Sequence, residues 1–215
     1  MLRSVLRKQV ARLLPAAWQN RVATWRERVS GVDFTQPVSL DSLGLDAARS
    51  VKYSPSDDHH LRQLLDGLTI RTTDRILDYG CGKGRALRTM TEYPFASTDG
   101  VELSPALAAT ARRNFIRLHV PSDRVHIFVS DAATFTALDD YTHFYFYNPF
   151  PAVVMRPVIA NIYASIDRRA RDLTIIYYNA VCLDDFLAAG RFRVIREATD
   201  DEGNRSVILS LQGRG

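Results

Sequence analysis

A short apolar strand running into three alternate glycines constrains this 215-residue chain more than any other feature. Arg75-Ile76-Leu77-Asp78-Tyr79 has the composition of a buried strand, Gly80-Cys81-Gly82-Lys83-Gly84 reads as a turn, and Arg85 to Glu92 has the pattern of a helix. Alternate glycines let the backbone approach a ligand closely, and the helix that follows offers free N–H groups. The spacing narrows the ligand. A nicotinamide-type turn needs its third glycine where Arg85 stands, and a phosphate-binding loop needs Ser or Thr where Gly84 stands. Asp78 puts a carboxylate beside the turn, which repels a pyrophosphate and favours a cationic amino group or sulfonium. Glu102 lies 24 residues further on, at the end of the next predicted strand, where an acid accepts ribose hydroxyls.

The remaining pattern alternates. Asp57 to Leu68, Ser104 to Leu118, Pro151 to Ile166 and Leu183 to Ala189 read as helices; Ser97 to Leu103, Val125 to Val129, His143 to Tyr147 and Leu173 to Tyr178 read as strands. Phe192 to Glu197 and Arg205 to Leu211 form a closing strand pair around Asp201-Glu202-Gly203-Asn204. Strands separated by helices predict an α/β, Rossmann-like, doubly wound sheet of seven strands, mostly parallel, with an antiparallel edge strand. Residues 1–52 are expected to be a basic helical extension and linker, and 53–215 the folded domain.

Charge is concentrated at the amino terminus. Residues 1–28 hold seven basic groups and one acid, whereas the rest of the chain holds 21 basic and 23 acidic groups. The body is therefore not built around a polyanion. Leu2, Val5, Leu6, Val10, Leu13 and Leu14 recur at helical spacing among Arg3, Arg7, Lys8 and Arg12, and Pro15 interrupts them. Three readings follow: a helix packed on the domain, a peripheral helix on a membrane surface or acidic partner, or an acid-poor organelle transit peptide. No transmembrane segment is expected, since no stretch approaches about 18 uninterrupted apolar residues. Cys81 and Cys182 have no partners at metal-ligand spacing, so no metal site is expected and a cytoplasmic, reducing setting is.

Taken together the motifs resemble those of class I S-adenosylmethionine-dependent methyltransferases. Residues Arg75 to Gly84 look like their first motif, and Gly100-Val101-Glu102-Leu103-Ser104 with Ala111 and Asn114 like the segment after it. Ser130-Asp131-Ala132 resembles the adenine-side motif, and Tyr147-Asn148-Pro149-Phe150 the loop after the fourth strand. Gly31 to Ser56 resembles the lead-in of a poorly characterised bacterial group and of lysine methyltransferases with a Tyr-x-Pro loop. The resemblance implies S-adenosyl-L-methionine as cofactor. Gly80, Gly82 and Gly84 would then form the turn under its methionine part, with Asp78 beside the amino group and Glu102 on the ribose. Leu103 would pack on the adenine, Asp131 with Ala132 would border it, and Tyr53 would close over the cofactor. Capping roles for Asp78 and Asp131, and a solvated strand end at Glu102, remain open alternatives.

On the acceptor side, the Asn148 side-chain oxygen and the Pro149 carbonyl would accept N–H groups of an amine, with Tyr147 and Phe150 facing its developing charge. The loop departs from the Asn-Pro-Pro-aromatic pattern of amino-directed enzymes, because Phe150 stands third and Pro151 follows. A turn-capping Asn148 remains the alternative. Tyr177-Tyr178-Asn179, with His59 or His60 as general base, would serve an oxygen or carbon acceptor, but core packing of the tyrosines and surface exposure of the histidines are the favoured alternatives. The expected activity is methyl transfer to a nitrogen of a small molecule or protein. The runners-up are an RNA-directed methyltransferase using residues 1–28 as a basic arm, and a non-catalytic cofactor-binding regulatory or assembly protein.

Overall fold

Five parallel strands make up most of the sheet, and those at its centre are buried residue after residue on both faces. They are β1 (Arg75–Tyr79), β2 (Ser97–Glu102), β3 (Ile127–Val129), β4 (His143–Tyr147) and β5 (Thr174–Tyr178), followed by β6 (Phe192–Thr199) and β7 (Arg205–Leu211). The helices are α1 (Asp58–Asp66), α2 (Arg85–Met90), α3 (Pro105–Arg117), α4 (Ala152–Arg168) and α5 (Leu183–Leu187). The structure is a computed structural model that describes residues 27, 29–36, 58–147, 150–200 and 203–211. The expected helix before Pro15 lies outside these residues, as does most of the expected linker.

The strand order is β3-β2-β1-β4-β5-β7-β6, with β1 to β5 parallel and β7 antiparallel to both neighbours. This is the doubly wound sheet that the alternation predicts. The direction of winding reverses between β1 and β4, and open α/β sheets bind ligands at such a reversal, beyond the carboxyl ends of the strands. The expected antiparallel edge is present, formed by the last two strands in exchanged order. β7, the last strand in sequence, sits inside, and β6 takes the edge. Their compositions explain the exchange. Val207, Ile208 and Leu209 are buried in succession, whereas β6 after Phe192 alternates exposed and half-buried positions, with Arg193 outside. A two-faced apolar strand needs cover on both sides, and an edge strand tolerates charge.

Helices α1, α2 and α3 cover one face of the sheet through Leu61, Leu64, Leu87, Met90, Ala108 and Phe115. Helices α4 and α5 cover the other through Val158, Ile162 and Phe186. Helix α3 starts where its sequence dictates: the Ser104 hydroxyl accepts from the Leu107 N–H at 3.3 Å, and Pro105 occupies the first turn. Among the described residues no helix is long and apolar enough to cross a membrane.

Close packing at the first two strands leaves no room for a side chain at Gly100, where an added Cβ would lie 2.5 Å from Cys81 Sγ and 2.9 Å from Leu87 Cδ1. Gly100→Ala is expected to lower unfolding free energy in urea by about 1–3 kcal/mol, through overpacking against the glycine turn.

Candidate active site

Four strand ends meet at the winding reversal and carry the chemistry. Asp78 is the penultimate residue of β1, Glu102 the last of β2, Tyr147 the last of β4 and Tyr178 the last of β5. Between β1 and α2 the chain turns through Gly80, Gly82 and Gly84 at φ of 78°, 53° and 85°, a left-handed region that side-chain-bearing residues rarely adopt. The turn is pinned to the end of β2, with the N–H groups of Gly80 and Cys81 donating to the Val101 carbonyl at 2.9 and 3.1 Å.

Glu102 ties two turns together. One carboxylate oxygen accepts from the Gly82 N–H at 2.9 Å and the other from the Ser104 N–H at 2.8 Å. Its carbonyl accepts from the Ser130 N–H at 3.1 Å, which brings the Ser130-Asp131-Ala132 loop alongside. Leu103, immediately after, is 42% exposed, unusual for a leucine between two buried residues. Asp131 accepts from the Ala133 N–H at 2.9 Å and so closes a turn rather than opening a helix. Ala132 is buried in the core on the α4 side.

Asp78 is the anomaly. Its side chain is buried and, among the described residues, has no hydrogen-bond partner; it caps no helix. Burial, with the Glu102 carboxyl nearby, pushes the Asp78 carboxyl up to about 8, and burial likewise raises Glu102. Two buried acids with no cation beside them among the described residues make a site that a positive ligand would complete.

On the acceptor side, the Tyr147 and Tyr178 rings lie 4.6 Å apart, and Tyr178 lies 4.5 Å from the His60 ring. Tyr177 does not join them. Successive strand residues face opposite sides, so Tyr177 packs under α5, where its hydroxyl accepts from the Cys182 N–H. Phe150 likewise packs on the α4 side. His60 is buried and paired with the Ser206 hydroxyl at 2.8 Å, whereas His59 is exposed and pairs with Gln63 one turn on. The Tyr178 hydroxyl donates to Asp200, whose carboxylate also accepts from Asn204. Tyr53, Asn148 and Pro149 lie outside the described residues. The role of Asp200 was not legible in the sequence, since only the β6–β7 hairpin brings it to β5.

Residues 76–171 match the family described as Methyltransferase domain. That match and the fold together support a class I S-adenosylmethionine-dependent methyltransferase domain over this stretch. Among curated proteins none matches the sequence. Solved structures share the fold at low identity. The StiE O-MT (residues 961–1257) is 12% identical at a TM-score of 0.56, over 73% of this chain and 75% of that one. A mutant of MtNAS in complex with S-adenosylmethionine is 20% identical at a TM-score of 0.55, over 72% of this chain and 62% of that one. An RNA methyltransferase from Salinibacter ruber, in complex with S-adenosyl-L-homocysteine, is 20% identical at 0.52, over 74% and 92%.

With the domain come the enzyme class and its cofactor, S-adenosyl-L-methionine, and the residues present fit that group. The partnerless Asp78 carboxyl suits a cationic amino group or sulfonium, Glu102 has acceptor capacity beyond its two N–H bonds, and exposed Leu103 offers an apolar face to an adenine. No pyrophosphate would be stable beside the two acids.

The raised Asp78 carboxyl has a pH signature. The folded chain keeps a proton that the unfolded chain releases near 3.8, so the stability due to this proton is full below that value and is lost as pH rises through about 8. A cationic ligand favours the carboxylate and expels the proton. Between about pH 6 and about 7.5, cofactor affinity should rise with pH, and calorimetric enthalpies should vary with buffer ionisation heat; Asp78→Asn should abolish both trends. Glu102→Ala should weaken cofactor binding at least about tenfold by calorimetry, because it frees the turn and removes charge-assisted acceptors.

Proposed function

We propose that the enzyme transfers methyl from S-adenosylmethionine to a nitrogen of an amine or a protein side chain. The observation that carries this reading is that the side chains best placed to act as a general base are already committed. His60 is bound to Ser206 and packed at a tilt against Tyr178, and the Tyr178 hydroxyl is held by Asp200. A hydroxyl acceptor needs a base to remove its proton as it attacks, whereas a neutral amine already carries the electron pair.

The cofactor, when bound, supplies a methyl carbon on a sulfonium that an electron pair displaces in line, leaving a neutral thioether. The chain's part is alignment. Asp78 and Glu102 hold the two ends of the cofactor binding groove through charge and hydrogen bonding. In this reading Asn148 and Pro149, which follow β4 in the sequence, supply the side-chain oxygen and the carbonyl that accept N–H groups of the amine and direct its lone pair. Tyr147, backed by Tyr178 at 4.6 Å, offers a π-face to the positive charge that develops on nitrogen, a contribution of roughly 0.5–2 kcal/mol. After transfer the extra proton on the product leaves to solvent.

The test is labelling. Lysate from cells lacking the protein, incubated with the enzyme and methyl-labelled cofactor, should yield label stable to alkali, as N-methyl groups are and methyl esters are not. Label removed by ribonuclease would favour the RNA reading instead, and alkali-labile label would overturn the nitrogen acceptor. Asn148→Ala should keep cofactor affinity within about twofold and lower turnover by about 10²-fold or more, as loss of a positioning contact does.

A further inference from the structure

The outer side of the glycine turn is clasped by a segment from the amino-terminal region. The Lys83 ammonium, in the middle of the turn, donates to both Asp33 carboxylate oxygens at 2.8 and 2.7 Å and to the Gln36 carbonyl at 2.9 Å. Lys83 is only 3% exposed, a depth at which an ammonium needs its partner. Asn114 of α3 reads the same segment with both ends of its amide. Its oxygen accepts from the Asp33 N–H at 2.8 Å, and its nitrogen donates to the Asp33 carbonyl at 2.8 Å and to the Lys83 carbonyl at 3.1 Å. Val32 and Phe34 are buried on either side. Arg117 donates to the Gly31 carbonyl, and Glu27 accepts from the N–H groups of Phe34 and Thr35.

The turn is thus gripped from two directions. On the cofactor side Glu102 holds the Gly82 N–H, and one residue on, Lys83 is held through its ammonium and its carbonyl. The backbone that must sit at a left-handed φ to admit the cofactor is the same backbone that Asp33 and Asn114 hold from behind. We propose that Asp33, Lys83 and Asn114 are positioning residues for the cofactor turn, so that docking of residues 31–36 and filling of the cofactor site are thermodynamically linked. The inference rests on the cofactor assignment above and on no property of the acceptor. Linkage is reciprocal: a segment that tightens the cofactor is itself tightened by it. Anything that pulls residues 31–36 off the turn would empty the site.

The experiment uses the full chain, its Asp33→Asn and Lys83→Met variants, and the double variant, each titrated with S-adenosylhomocysteine, with hydrogen exchange followed at the Asp33 amide. Asp33→Asn preserves shape and removes charge, and Lys83→Met keeps the buried stem. Each single variant should bind about tenfold more weakly, and the double variant no more weakly than the worse single. In the wild type, ligand should slow exchange of the Asp33 amide about tenfold or more, and the variants should lose that response. Asp33→Glu, which keeps the charge, should recover most of the affinity. Wild-type affinity in the folded variants, or an Asp33 amide indifferent to ligand, would overturn the linkage while leaving the cofactor assignment intact. Failure of the wild type itself to bind would instead overturn the assignment.

Discussion

One carboxylate holds the cofactor end of this molecule together. Glu102 accepts from backbone N–H groups on two different crossover turns, those after β1 and after β2, and its own carbonyl receives the loop after β3. In the Gly80–Gly84 turn the N–H groups at either end find backbone carbonyls, but the Gly82 N–H between them needs an acceptor placed by something rigid. A buried strand end is the most rigid support available. Gly100, two residues earlier on β2, lets Cys81 lie against the strand, and this lets the turn sit low enough for its N–H to reach Glu102.

The same economy of contacts explains the charge arrangement. Two buried acids side by side are costly in a folded protein, and Asp78 meets that cost by keeping its proton. A cationic ligand relieves both, which is why a site of this kind discriminates strongly against phosphates without any steric barrier. Lys83, the cation within the glycine turn, is paired with Asp33, so the turn's own ammonium does not neutralise Asp78 and Glu102.

On the acceptor side the sheet sorts residues that adjoin in sequence. Tyr177 and Tyr178, neighbours in the chain, go to opposite faces, and Tyr178 meets His60, Tyr147 and Asp200, which come from α1, β4 and the β6–β7 hairpin. The exchange of β6 and β7 at the edge makes this meeting happen: with β7 beside β5, Ser206 reaches His60 and the hairpin reaches Tyr178.

Much of this was legible before any coordinates. Strand β1, the three glycines, the start of α3 at Ser104 and Pro105, and the acids at 78 and 102 are local signals, because φ preference, capping and strand burial act within a few residues. They determined the fold class and the kind of cofactor. The sequence was silent on which strand takes the sheet edge, on Glu102 serving the turn as well as a ligand, on the burial of His60 and on the clasp of Asp33 and Asn114 around Lys83. Those depend on residues separated by 20 to 146 positions or on competition between two strands for one slot, and only the packed sheet decides which of them meet.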